Sequence, residues 1–133
     1  MKYYLDTNTI IYFLKGTYPA LADHFRNVPR QSVVIPSVVT AELEYGAQKS
    51  IRPAETAKKL HSFLSAFETV PFSGEAAVQY GKIRHELEKA GTPIGPNDLL
   101  IASIVKAEEG VLVTHNIKEF SRIPGLMLED WTQ

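Results

Sequence analysis

The sequence contains no cysteine among its 133 residues. This absence excludes disulfide bonds and thiolate metal sites, and it leaves any metal ion to oxygen or imidazole ligands. No apolar run approaches the roughly 18 residues that a membrane-spanning helix needs, so we expect no membrane association. A chain with these features is typical of a reducing compartment, and we therefore expect a cytoplasmic protein.

An excess of charge of either sign is also absent. The chain has 14 Lys and Arg residues against 15 Asp and Glu residues, which gives a formal net charge of −1. Proteins that bind nucleic acids usually carry a basic balance. If this chain binds RNA or DNA, its affinity for phosphates must come from a local basic cluster, a bound cation or a second subunit.

Two-residue hairpin signals are missing as well, and short apolar strands alternate with helices instead. The strand candidates are residues 3–5, 32–35, 69–72, 111–113 and 126–128. This alternation predicts a parallel sheet with helices on both faces, an α/β fold of three layers. Because we find no repeat, low-complexity segment or linker, we expect residues 1–133 to form a single domain.

Asp6 follows the first strand directly, at the carboxyl end where open α/β sheets bind their ligands. Thr7 or Asn8 can cap the helix that begins there, and Ser37 can cap the helix after the second strand. Capping therefore does not require Asp6, although a simple cap is the alternative role for this acid. Asp6 alone is a weak sign of function.

Two other acids lie on the apolar stripe of a predicted helix. Glu42 shares a helical face with Val38, and Asp98 shares one with Ile101, because residues three or four apart are neighbours on a helix. Both carboxylates are thus directed towards the side that packs on the sheet. The alternative for Asp98 is a first-turn acid that favours the helix dipole by roughly 0.3–1 kcal/mol. Glu42 lies past the first turn and fits that alternative less well.

These three acids can meet at one edge of the sheet. Two unit charges about 4 Å apart repel by roughly 4 kcal/mol at an effective dielectric near 20. Such a cluster must keep a proton or bind a cation, and oxygen ligands without sulfur favour Mg²⁺ or Mn²⁺. A metal ion with open coordination positions activates water for phosphodiester hydrolysis. The acids therefore indicate a metal-dependent hydrolase.

Four ordered motifs resemble the PIN domain and, more narrowly, the VapC toxins of bacterial toxin–antitoxin systems. They are Leu-Asp-Thr-Asn at 5–8, Thr-Ala-Glu-Leu at 40–43, residues 93–102, and Thr-His-Asn at 114–116 followed by Glu-Phe at 119–120. The resemblance covers nearly the whole chain and implies a five-stranded parallel sheet between helices. It also implies an Mg²⁺- or Mn²⁺-dependent endoribonuclease, released when a cognate antitoxin is degraded. The most similar branch cuts initiator tRNA in its anticodon loop.

By motif position, the resemblance makes Asp6, Glu42 and Asp98 the catalytic acids and metal ligands. The supporting residues would be Asn8, Thr114 and Asn116. Many PIN domains carry a further acid where this chain has Asn116, so one metal ion and two remain open alternatives. Possible RNA-binding residues are Lys82, Arg84 and His115. Lys82 and Arg84 could equally lie on a solvated helix face, and a histidine at a strand end is more often an ordinary surface residue. The densest basic cluster, a second candidate for phosphate binding, is Lys49, Arg52, Lys58 and Lys59.

The resemblance implies two kinds of protein partner, an antitoxin that covers the acidic crevice and a second copy in a homodimer. Two apolar stripes are candidate surfaces for them, with a place in the core as the alternative. The stripes are Leu60, Phe63, Leu64 and Phe67, and Ala76, Tyr80, Ile83 and Leu87.

Two other functions stay open at this point. Residues 6–9 differ by one substitution from the Asp-x-Asp-x-Thr pattern of haloacid dehalogenase-like phosphotransferases, in which the first acid is the nucleophile. Asn8 would then replace the general acid and base of that reaction. The non-enzymatic alternative is an inactive PIN-like interaction module, and the intact set of three acids argues against it.

Overall fold

The computed structural model describes all residues, 1–133. Five strands form one parallel sheet in the order β3-β2-β1-β4-β5. The strands are β1 Tyr3–Leu5, β2 Val33–Pro36, β3 Glu68–Val70, β4 Val111–Val113 and β5 Met127–Glu129. The helices are α1 Thr7–Lys15, α2 Pro19–Asn27, α3 Ser37–Gln48, α4 Pro53–Leu64, α5 Gly74–Lys89, α6 Pro96–Ala107 and α7 Ile117–Phe120, with a 3₁₀ turn at Arg30–Ser32. The predicted five-stranded parallel α/β fold is confirmed.

Strand β1 lies at the centre of the sheet and pairs with both β2 and β4. Residues 33–36 of β2 and 111–113 of β4 are all buried, as expected for parallel strands covered on both faces. The chain runs outward from β1 to β3 and then returns to β4 on the other side. The strand order therefore reverses between β1 and β4, and their carboxyl ends flank the crevice where such sheets bind ligands.

An aromatic cluster joins the helices of the first two crossovers. Phe13 of α1 lies 4.4 Å from Phe25 of α2 and 5.6 Å from Phe63 of α4, between ring centroids. Right-handed crossovers place these helices on one face of the sheet and the β3–β4 connection, α5 and α6, on the other. The three predicted layers follow from this arrangement.

The two apolar stripes that we considered as partner surfaces belong largely to the core. On α5, Ala76, Ile83 and Leu87 are buried, so the prediction of a partner surface there is wrong. On α4, Leu60 is buried while Phe63 and its neighbours are only partly covered. Helical periodicity marked the apolar face of each helix correctly but could not show that α6 covers the face of α5.

Helix starts depend on the backbone that precedes them. Ser73 caps α5, since its hydroxyl accepts a hydrogen bond of 3.2 Å from the Ala76 N–H. The predicted cap at Ser37 is wrong, because α3 already begins at Ser37 and the extended Pro36 occupies the cap position without a side-chain bond. None of the helices combines the length and apolarity that a bilayer crossing requires.

The C-terminal segment is held by the single tryptophan. Trp131 is fully buried, with its ring 5.4 Å from that of Tyr3 and 5.5 Å from that of Phe25. His24 stacks on it at 5.3 Å with an interplanar angle of 3°. The indole N–H donates to Glu129 at 2.9 Å, so the polar atom of this buried ring has a partner.

Candidate active site

Asp6 is placed at the junction of β1 and α1. Its N–H donates to the carbonyl of Val113 at 3.1 Å, and its carboxylate accepts from the N–H of Thr9 at 2.9 Å. Asp6 is therefore the N-cap of α1, and the predicted caps Thr7 and Asn8 are wrong. They cannot fill that position because α1 starts immediately after the strand and places both residues in its first turn.

Asp6 is only 6% exposed. Burial raises the pKa of this carboxyl group, hydrogen bonds from Thr114 and Thr9 lower it, and the charge of Glu42 raises it again. Thr114 is itself buried at the end of β4, and its hydroxyl also accepts the N–H of Asn116 at 2.9 Å. Thr114 thus connects the ends of the two central strands at the carboxylate.

Glu42 reaches the same place from α3. Its Oε1 accepts the hydroxyl of Thr7 at 2.5 Å, and its Oε2 accepts the amide of Asn97 at 3.1 Å. The two donors come from the first turns of α1 and α6, which fixes this half-buried carboxylate between those helices. The structure therefore brings Glu42 to the crevice, as its helical face predicted.

Asp98 lies in the first turn of α6 and is half-buried. Burial, followed by the negative charges of Glu119, Asp6 and Glu42, raises the pKa of this carboxyl group to about 7. The protonated Asp98 donates a hydrogen bond to Glu119, which acts in the same direction. All three acids predicted from the sequence thus interact electrostatically.

Glu119, on the short helix α7, is a fourth acid that the sequence interpretation missed. Its Oε1 accepts the N–H of Gly95 at 3.0 Å, and its Oε2 accepts the amide of Asn116 at 3.1 Å. The hydrogen bond from the N–H of Gly95 lowers the pKa of Glu119 below its usual range. Hydrogen bonds from the side chains of Asn116 and Asp98 and the charge of Arg122 act in the same direction. A Cβ atom on Gly95 would lie 3.9 Å from oxygens of both Asp98 and Glu119, so the two carboxylates flank the same peptide.

The amide of Asn116 donates to Glu119 and thereby helps to orient that carboxylate. A signal was present in the sequence, because Glu119 follows Asn116 by three residues in a short helix that starts at the end of β4. Residues at this spacing are neighbours on a helix. We call Asp6, Glu42, Asp98 and Glu119 the acid cluster.

No cation is paired with the acid cluster. None of the six ion pairs in the structure includes one of its four carboxylates. Arg122 lowers the pKa of Glu119 by its charge, but its guanidinium donates to the carbonyl of Pro93 at 3.0 Å. Carboxylates that repel each other in a crevice must keep a proton or bind a positive ion.

The donor chemistry of the acid cluster fits a hard divalent cation, since every ligand atom on offer is a carboxylate oxygen. No three acidic or imidazole side chains are already arranged around a common point at ligand distance. The hydrogen bonds explain this, because Glu42 is turned to Thr7 and Asn97, and Glu119 to Gly95 and Asn116. After burial, the charges of Glu119, Asp6 and Glu42 contribute to the raised pKa of Asp98, and a cation would neutralise this negative charge.

Three of the remaining predicted residues lie away from this network. Asn8 is exposed in the first turn of α1 and takes no part in the hydrogen bonds of the acid cluster. Lys82 and Arg84 are exposed on α5. Arg84 donates from Nε to Glu88 and from Nη1 to the hydroxyl of Tyr80, both at 2.9 Å, so part of its guanidinium group is bonded within the protein. RNA binding by Lys82 and Arg84 stays a prediction.

His115 is directed towards the C-terminal segment. Its Nδ1 lies 3.0 Å from a carboxylate oxygen of Asp130, and its ring packs edge-on to Tyr12 at 6.1 Å and against Tyr18 at 5.4 Å. These contacts give His115 a structural role in attaching the last residues to α1. A direct contact with RNA stays a prediction for this residue too.

Comparison with known proteins agrees with the fold. The PIN domain profile matches residues 3–126. The chain is 44% identical to ribonuclease VapC2 of Rickettsia felis and 39% identical to the tRNA(fMet)-specific endonuclease VapC of Salmonella typhimurium, each over 98% of both chains. Its structure matches that of DNA-bound VapBC from Salmonella typhimurium with a TM-score of 0.93 at 39% identity, over 98% of both chains. The chain belongs to the PIN-domain family and, within it, to the VapC group.

Proposed function

We propose that this chain is the toxin of a toxin–antitoxin pair and hydrolyses RNA phosphodiester bonds with a divalent metal ion bound by the acid cluster. The observation that carries the proposal is the gathering of four carboxylates, without a paired cation, at the strand-order reversal. PIN-domain ribonucleases generally depend on divalent metals. The ribonuclease and endonuclease names of the relatives support RNA as the substrate.

Mg²⁺ is the ion that we propose, with Mn²⁺ as its substitute. Mg²⁺ typically binds through one or two carboxylates and keeps several waters, which suits a site whose other carboxylates hold hydrogen bonds of their own. When bound, the ion supplies Lewis acidity and lowers the pKa of water at its open positions. Among the acids that would hold it, Asp6 and Asp98 would contribute most, because burial raises the pKa of each and a bound cation would stabilise their charged forms.

The other two acids are fixed by donors from neighbouring elements. Thr7 and Asn97 orient the carboxylate of Glu42, and Gly95 and Asn116 orient that of Glu119. Either carboxylate can accept a proton from an attacking water without moving its helix. We assign Glu42 a role as metal ligand and catalytic acid together with Asp6 and Asp98, and add Glu119 to the set.

We propose tRNA as the substrate, with the anticodon loop of initiator tRNA as the cleavage site. The name of the Salmonella relative, tRNA(fMet)-specific endonuclease, supports this choice. The solved Salmonella protein is a VapBC, which supports a cognate antitoxin as the protein partner. A homodimer or a hetero-oligomer with that antitoxin, located in the cytoplasm with the tRNA, completes the proposal.

No observation favours the aspartyl-phosphate phosphotransferase. Asn8 would have to replace its acid and base, yet Asn8 is exposed and takes no part in the hydrogen bonds around Asp6. One oxygen of the buried Asp6 already accepts the helix N–H of Thr9. No observation favours the inactive interaction module either, because the four carboxylates of the acid cluster meet in one crevice.

The test is cleavage of tRNA by the wild type, by Asp6→Asn and by the control Glu108→Gln, which changes an exposed acid at the other edge of the sheet. Asn is as good an N-cap as Asp, so Asp6→Asn should keep the fold. We expect it to lose at least about a hundredfold in cleavage rate, since a charged metal ligand contributes several kcal/mol. The control should match the wild type, and EDTA should stop cleavage by both active proteins. Full activity in EDTA would contradict the proposal.

The RNA target can be identified in cells. The chain is expressed without its partner, and the newly formed RNA 5′ ends are sequenced and compared with those from cells expressing Asp6→Asn. Ends that map to the anticodon loop of initiator tRNA in the first sample alone are the expected result. If the new ends map to other RNAs, the chain is still a ribonuclease but initiator tRNA is not its substrate.

A further inference from the structure

Tyr45 is an aromatic residue in an unusual place, 66% exposed on the surface of α3. It follows Glu42 by three residues, so their Cβ atoms are about 5–6 Å apart on the same helical face. The ammonium group of Lys49, one turn further on, lies 4.9 Å from the centroid of the Tyr45 ring. One face of the ring thus carries a cation while much of the side chain is open to solvent.

These residues form a continuous track that starts at the acid cluster. We call Glu42, Tyr45 and Lys49 the α3 track; it extends about 10 Å along the helix. Lys49 makes none of the six ion pairs, so its charge is available to another molecule. Ile51, just beyond the track, is 99% exposed. An exposed aromatic beside a free cation is a common feature of surfaces that bind single-stranded nucleic acids.

The depth of the crevice determines what form of RNA can enter. Asp6 is almost completely buried, so a phosphodiester must bend inward to reach the acid cluster. A stacked duplex resists this bend, whereas an unpaired segment can turn its bases outward. A base next to the bend loses its stacking neighbour, and an aromatic side chain can replace that neighbour.

We propose that Tyr45 stacks on the base of an unpaired nucleotide beside the scissile phosphodiester and that Lys49 binds the phosphate of that nucleotide. This inference rests on the proposed ribonuclease function and specifies how its substrate is recognised. The α3 track selects a single-stranded loop over a duplex, because only an unpaired base can lie flat on the ring. The positive charge of Lys49 also offsets part of the repulsion between RNA and the acid cluster.

A second copy of the chain is the competing occupant of this surface. In a two-fold contact a residue of one copy meets a different residue of the other, so an antiparallel pairing of two α3 helices about Tyr45 would place Lys49 opposite Glu42. The α3 track starts at the acid cluster, where the proposed function places the phosphodiester, and a strand of RNA can follow it from there. This continuity with the acid cluster favours RNA.

The inference is tested with Tyr45→Leu, Tyr45→Phe and Lys49→Gln, with Phe72→Leu as the control for an exposed aromatic outside the track. Cleavage of an RNA stem-loop gives kcat and KM, and fluorescence anisotropy in metal-free buffer gives Kd. We expect Tyr45→Leu to raise KM and Kd about tenfold, the loss typical of one stacked base, with kcat nearly unchanged. Tyr45→Phe and Phe72→Leu should stay close to the wild type. Lys49→Gln should reduce the slope of log Kd against log salt by about 0.7.

A set of stem-loops, each lacking one base of the loop, shows which nucleotide Tyr45 contacts. If stacking is the cause, the difference between wild type and Tyr45→Leu disappears for one abasic position and persists for the others. The same loss at every position, or no loss with any RNA, overturns the inference. A fall in oligomeric mass for Tyr45→Leu, measured by sedimentation, would assign the surface to a second copy instead.

Failure of this inference differs from failure of the proposed function. A wild type that cleaves RNA while Tyr45→Leu keeps the same KM and Kd contradicts only the role of the α3 track. A wild type that cleaves no RNA contradicts the ribonuclease, and the anisotropy measurements then decide separately whether the track binds an unpaired strand.

Discussion

Acids lie both where the parallel strands end, at the carboxyl edge of the sheet, and where they begin, at the amino edge, but in opposite surroundings. At the carboxyl edge, the acid cluster lies in a crevice with no paired cation, and the pKa values of Asp6, Asp98 and Glu119 are shifted. At the amino edge, Glu68 forms an ion pair of 3.5 Å with Lys2, and Glu108 and Glu109 extend into solvent. The buried titratable group there is Tyr4, whose pKa is raised to about 12 by burial and by the charges of Glu108 and Glu68.

The difference shows that burial and partners, rather than the number of acids, mark a functional edge. Solvent and salt screen the charges at the amino edge, so they neither need nor attract a tightly bound ion. Tyr4 stays neutral at physiological pH, so its burial does not bury a charge. The acid cluster has negative charge that only a proton or a cation can compensate, and for this reason we propose the carboxyl edge as the binding site.

The strongest test of this contrast is Glu119→Gln. The glutamine keeps an acceptor for the N–H of Gly95 but removes one of four charges, so we expect the affinity for Mn²⁺ to fall about 10- to 100-fold. Isothermal titration measures the affinity, and Glu108→Gln provides the matched control at the amino edge. An unchanged affinity in Glu119→Gln would exclude Glu119 from the metal site.

A second test compares the pH dependence of stability. A carboxyl group whose pKa is raised in the folded state binds its proton more tightly there than in the unfolded chain, so stability falls as pH rises through the interval between the two pKa values. For Asp98 this interval runs from about 4 to about 7, and Asp6 is shifted in the same direction. The lowered pKa of Glu119 has the opposite effect, but only at lower pH.

We therefore expect the metal-free protein to melt a few degrees lower at pH 8 than at pH 5. Asp98→Asn should reduce this difference, and Mg²⁺ should raise the melting temperature at pH 8 because it binds the folded state. Scanning calorimetry at both values of pH measures each effect. Equal melting temperatures at pH 5 and pH 8 without metal would mean that ionisation of the acid cluster does not destabilise the fold.

The smallest effect should come from Lys2→Ala. The ion pair with Glu68 is exposed on both sides, and such pairs contribute little, so the free energy of unfolding should change by at most about 0.5 kcal/mol. Urea unfolding measures this change, and the rate of RNA cleavage should equal that of the wild type. A loss of activity in Lys2→Ala would show that the amino edge takes part in function.

Much of the fold and three of the four acids could be predicted from the sequence, because they depend on local order. Strand-type residues before Asp6, the helical period around Glu42 and the proline before Asp98 place each acid near a sheet edge without further information. Glu119 could not be placed in this way. Its position depends on the direction of α7 and on the N–H of Gly95, which is 24 residues away in sequence.

The sequence could not decide for a related reason whether Thr7, Asn8 or Asp6 caps α1. Three polar residues follow one another at positions 6–8, and the choice among them depends on where the strand ends. That end is set by the hydrogen bond from Asp6 to Val113 of the neighbouring strand. Likewise, the bond between Thr7 and Glu42 joins residues 35 apart, and no local pattern indicates it.

The burial of Trp131 also gives the protein an intrinsic optical signal. As the single tryptophan, it reports by its fluorescence whether the C-terminal segment is docked against Tyr3 and His24. A shift of its emission to longer wavelength would accompany undocking, because water would then reach the indole. Since His115, which directly follows Thr114, is bonded to Asp130 of the same segment, this emission can follow events near the crevice in real time without a label.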